Sequence, residues 1–92
     1  MAETHDRQLS NRIRTELIEA NFEIAFNLVD LAEERLHEHD PSNAFRALLD
    51  AQAVFEDIQQ RLDRLGSEKH LPFDCLVVEL RRAIALAKSH LD

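Results

Sequence analysis

Residues 41–66 read PSNAFRALLDAQAVFEDIQQRLDRLG. Within this stretch Ala44, Leu48, Ala51, Phe55, Ile58, Leu62 and Leu65 follow one another at alternating spacings of four and three. That period lays them along one stripe of an α-helix, with Asp50, Asp57 and Arg64 on the far side. Both ends are marked. Asp40 suits the N-cap, and Pro41 suits the first helical position, where a missing N–H costs nothing. Gly66, the only glycine in the chain, falls where a helix ends in a left-handed residue. The stretch predicts a helix over 41–65.

The pattern continues on both sides. Pro72 opens a second segment, with Asp74 near the positive end of the helix dipole. Phe73, Leu76, Val77, Leu80, Ala83, Ile84, Ala87 and Leu91 repeat the apolar stripe and predict a helix over 72–91. Upstream, the chain predicts one long helix over about 5–39. The breaks between the three are short, so successive helices run antiparallel. The expected fold is all-α: an antiparallel three-helix bundle with a long first helix, in a single domain over 1–92.

The first helix differs from the other two. Its apolar residues form two flanks, Leu17, Ile24, Leu28 and Leu31 on one side and Ile18, Phe22, Phe26, Val29 and Leu36 on the other. Together they cover roughly 240° of the circumference, where a single packed stripe covers little more than about 100°. Two neighbouring helices do not need that much apolar surface. A second copy of the chain, or another protein, on the spare flank resolves the excess. A kink that folds the helix back on itself is the competing reading, and no Pro or Gly marks one. The flank expected at a homodimer interface is Ile18, Phe22, Phe26, Val29 and Leu36, and the dimer then forms a larger helical bundle. Asn21, set amid the apolar arc, is expected to be a buried amide that fixes register.

Composition narrows the chemistry. The chain has 92 residues, too few for two independent cores. One glycine and two prolines cannot supply the turns of a β-rich fold. The net charge of −7 opposes binding to nucleic acid and to anionic membrane surfaces. Five Phe with no Trp or Tyr remove most stacking platforms for bases. Cys75 stands alone, so neither an intrachain disulfide nor a thiolate cluster is expected, and a reducing cytoplasm fits best. The polar first residues hold no signal-peptide core, and no apolar run is long enough to span a membrane.

Acidic residues crowd the first helix. Glu16, Glu19, Glu23, Asp30 and Glu34 share the arc left free by the apolar flanks, and read as an acidic docking face for a protein partner. The other reading is a solvated face. Glu34 and His37 make one Glu-x-x-His pair, a spacing that carboxylate-bridged metal bundles use twice. They are the candidate metal ligands, but alone they fall short of a site, and no metal or cofactor is expected. No nucleophile elbow or glycine-rich phosphate loop is present. Cys75, on the back of the third helix beside Val78, reads as a partly buried, unreactive thiol.

The layout resembles that of the helical chorismate mutases, which have a very long first helix, two shorter ones and an intertwined dimer. The resemblance implies an all-α dimer and goes no further. Members of that family hold a dicarboxylate with several Arg and Lys side chains, some in the second half of the first helix. Here that half carries Asp30, Glu33, Glu34 and Glu38, with Arg35 alone. Arg12, Arg14 and Arg46 do not complete such a set, so the activity is not carried over. The expected function is that of a small, acidic, non-catalytic interaction module, such as an adaptor, a chaperone-like protein or a regulatory subunit. It would act by self-association and by docking a protein partner. The alternative is a small dimeric helical enzyme or a carboxylate and histidine metal bundle with its site between subunits.

Overall fold

The structure, a computed structural model, describes residues 2–65 and 71–91, with side chains from Arg12 to Leu65 and from Pro72 to Leu91. Three helices pack around one core: α1 (Ala2–His37), α2 (Pro41–Leu65) and α3 (Asp74–Leu91), the last entered through a 3-10 turn (Leu71–Phe73). α1 is a single continuous helix of 36 residues and sets the 58 Å length of the molecule. It starts earlier and ends earlier than its sequence pattern suggests. The third helix begins two residues after the expected position. Pro72 disfavours α geometry in the residue before it, and a 3-10 entry accommodates that. The C-cap expected at Gly66 lies outside the described residues.

The α1–α2 corner shows why the first helix stops at His37. His39 has a φ of 60°. From there its N–H donates to the Leu36 carbonyl at 3.1 Å, and the Asp40 N–H donates to the Arg35 carbonyl at 2.8 Å. This pair of bonds closes the last turn of α1 in a Schellman arrangement, with histidine where glycine is usual. Asp40 then serves α2. Its Oδ1 accepts the Asn43 backbone N–H at 3.3 Å, and its Oδ2 accepts the Asn43 side-chain amide at 2.6 Å. The Asp40 N-cap is therefore present as the sequence suggests. These two bonds from Asn43 hold the Asp40 carboxyl below its ordinary value.

All seven residues of the α2 stripe are buried. On α1 the buried residues are Ile18, Phe22, Ala25, Val29 and Ala32, with Phe26, Leu28 and Leu36 partly buried against them. Ala25 and Ala32 on α1 and Ala44, Ala47 and Ala51 on α2 are all buried in the same core, and such small side chains let two helix axes approach closely. α3 contributes Leu80, Ile84 and Ala87. Phe73, in the 3-10 turn, stacks on Phe22 with ring centroids 5.9 Å apart and planes 14° from parallel. The Arg81 guanidinium lies over the Phe55 ring, 5.8 Å from its centre. No polar or charged residue is buried among the described residues.

This core corrects the expected interface. Ile18, Phe22 and Val29 are buried inside one chain, and Phe26 and Leu36 pack on the same core. The flank read as spare is the one that builds the monomer. The other flank is left over: Leu17, Ile24 and Leu31 remain exposed. The Ile18 flank carries five large apolar residues against four on the other, and two alanines of its own, Ala25 and Ala32, are buried with it.

Candidate functional site

The exposed side of α1 carries a second regular pattern. Ile13, Leu17, Ala20, Ile24, Asn27 and Leu31 step by alternating fours and threes, and all six are exposed. Ile13 and Ile24 are each 49% exposed, Leu17 is 45% exposed and Leu31 is 37% exposed. At about 100° per residue this outer seam lies roughly 140° around α1 from the buried one. Its period is the heptad period, which keeps a line of side chains facing one neighbour along the whole helix. Sequence reading found three of its members and missed Ile13, Ala20 and Asn27. The alternating spacing, counted from Ile13 instead of Leu17, was the signal.

The two borders of the seam differ in charge. Glu16, Glu23 and Asp30 lie along one edge, with Glu19 and Glu34 nearby, and all five are exposed. The structure thus brings together the acidic face expected from the sequence. Glu16 takes an ion pair from Arg12 at 3.6 Å, whereas Glu19, Glu23 and Asp30 have no ion pair among the described residues. The other edge meets α2. There Leu28 and Leu31 share a shallow groove with Arg35, Asn43, Arg46 and Asp50. Arg35 donates to Glu38 at 2.8 Å, and this contact, with the charge of Glu38, holds the guanidinium more firmly protonated than usual. Further along the same edge, the Asn21 amide donates to Asp57 at 3.1 Å and the Arg61 Nε donates to the same oxygen at 2.8 Å. Asn21 is half-buried and ties α1 to α2 within one chain, in place of the fully buried, register-fixing amide expected.

A second apolar surface lies between α2 and α3. Phe45, Leu48, Leu49, Gln52, Lys88 and Leu91 line a groove of about 280 Å³. Phe45 and Leu49 are each 54% exposed, and Lys88 reaches Gln52 across the groove at 3.5 Å. On the outer side of α3, Cys75 is exposed rather than partly buried, because it points away from the Leu80 stripe.

The Glu34–His37 pair is not assembled as a ligand set. The depression between α1 and α3 is lined by Glu33, Leu36, His37 and His90, without Glu34. There Glu33 takes a contact from His90 Nδ1 at 3.1 Å, a tie between the ends of α1 and α3 that no local pattern announces. Among the described residues no three His, Cys, Asp or Glu side chains are placed to hold a metal ion. No helix of the described residues is long and apolar enough to cross a membrane. Compared with known proteins, the chain matches no family model, and neither a curated protein nor a solved structure is detectably similar.

Proposed function

We propose that this chain is a small helical interaction module, without a catalytic centre, that self-associates and docks a protein partner. One observation carries the reading: α1 has a second seam, apolar but for Asn27, although its own core is already filled. Covering what remains exposed of Ile13, Leu17, Ile24 and Leu31 is worth roughly 0.5–1.5 kcal/mol for each side chain, since full burial is worth about 1.5–3. Single exposed aliphatics are ordinary, but a row of them at heptad spacing is a contact surface. The acidic border favours a basic protein surface over nucleic acid. The groove at Phe45 and Leu49 offers apolar area for a second contact. A cytoplasmic setting agrees with a lone, exposed thiol. Light scattering on the purified chain tests the reading. A molar mass of two chains at micromolar concentration is expected, and a monomer at every concentration removes the self-association on which the reading stands.

A further inference from the structure

We infer that the partner on the outer seam is a second copy of this chain, laid parallel and in register along α1; the inference rests on the self-association just proposed. Two features of the seam select this geometry independently.

The first is Asn27. In heptad terms Ile13, Ala20 and Asn27 occupy one class of seam position, and Leu17, Ile24 and Leu31 occupy the other. Two antiparallel helices place members of one class against members of the other. In every such register Asn27 faces Leu17, Ile24 or Leu31, and its amide loses water without gaining a partner. Two parallel helices in register place like against like. Asn27 then meets Asn27 of the other copy, where one amide donates and the other accepts. A polar pair of this kind at a seam position fixes both register and orientation.

The second is charge. A twofold axis parallel to α1 sets the acidic edge of each copy against the α2 edge of the other. The acidic edge is Glu16, Glu23 and Asp30, whereas the α2 edge carries both signs: Arg35, Arg46 and Arg61 stand beside Asp50 and Asp57, with Arg35 paired to Glu38 and Arg61 to Asp57. Asp30 of one copy then lies five residues short of Arg35 of the other, the offset at which flanking charges of parallel helices meet. A twofold axis perpendicular to α1 sets the acidic edge against itself, with Glu16 opposite Asp30 and Glu23 opposite its own copy. Like charges so placed repel. The acidic edge thus meets an edge of mixed charge in the parallel pair and a wholly acidic one in the antiparallel pair.

The seam from Ile13 to Leu31 runs about 27 Å and stops where Glu34 takes the next position. Ala20 supplies a small side chain near its middle, which lets the two backbones approach. The N-terminal part of α1, which extends past the end of α2, lies on the same line.

A distance measurement separates the orientations. Cys75→Ser removes the native exposed thiol, and His37→Cys places a nitroxide label on the exposed last turn of α1, off the seam. Parallel pairing puts the two labels of a dimer within about 30 Å, whereas antiparallel pairing about the seam centre holds them roughly 45 Å apart along the axis. In the same background, Asn27→Cys should form an interchain disulfide under mild oxidation. A short label distance together with that disulfide supports the inference. A dimer with the long distance and no Asn27→Cys cross-link overturns the parallel pairing and leaves self-association standing. A monomeric mass for the labelled protein and for the wild type overturns both.

Discussion

Phe22 and Phe73 stack at 5.9 Å between ring centroids, and this contact ties one flank of α1 to the start of α3 inside a single chain. It decides which side of α1 is committed to the core. The Phe22 flank closes the bundle, and the opposite seam is what a neighbour can cover.

Phe22→Ala should therefore behave as a core mutation. The expected loss is about 3–5 kcal/mol of unfolding free energy, measured by urea denaturation. The Phe22→Ala, Phe73→Ala cycle should show a coupling of about 0.5–1.5 kcal/mol. A variant that stayed fully stable while losing only its self-association would return Phe22 to the interface.

The two asparagines of α1 should separate by phenotype. Asn21→Leu breaks the bond to Asp57 but leaves Asp57 its contact with Arg61. Its cost should stay within about 1 kcal/mol, with no change of molar mass by light scattering. Asn27→Leu should leave the fold of the single chain intact, tighten association and broaden the range of registers and assembled states. Equal effects of both on assembly would contradict this division.

The α1–α2 corner offers a test in both directions. His39→Gly relieves a left-handed residue and should raise stability by about 1 kcal/mol, the strain relieved being partly offset by a freer unfolded chain. Asp40→Ala should lower the melting temperature at neutral pH. Because Asn43 holds the Asp40 carboxyl below its ordinary value of 3.8, the folded state favours the charged form. That stabilisation is fully present above about pH 5 and is lost as the pH falls through the depressed value. The melting difference between wild type and Asp40→Ala should shrink in acid. A difference that grew toward low pH would show that the cap acts otherwise.

Glu34→Ala and His37→Ala should leave the metal content unchanged, with less than one iron, manganese or zinc per chain by elemental analysis. A stoichiometric metal lost in either variant would assemble the site that the helix faces do not.

How much of this was open to sequence reading depends on whether the relevant signal is local. The α2 stripe from Ala44 to Leu65 was fully legible, because one segment holds both the period and its caps. So was the Asp40 cap, since Asn43 lies only three residues away. The allocation of the two flanks of α1 was not legible from hydrophobicity, which marks a face without naming what covers it. Ala25 and Ala32 were the available clue, as small residues that share the core with the alanines of α2. Asn21 and Asp57 are 36 residues apart, and Glu33 and His90 are 57 apart. Ties of that span follow only once the helices are docked. The acidic face was legible as a set of exposed positions. That it borders a heptad seam whose opposite edge carries both signs of charge depends on where α2 lies.

The central claim is that the outer seam of α1 carries the self-association, and the molar mass in solution of the wild type and of a Leu17→Asp, Ile24→Asp double variant tests it most directly. Both substituted residues are exposed in the single chain, so the variant should keep its helical content. The expected result is a mass of two chains for the wild type and of one chain for the variant at the same micromolar concentration. A wild type that stays monomeric, or a folded double variant that keeps the mass of two chains, would contradict the claim.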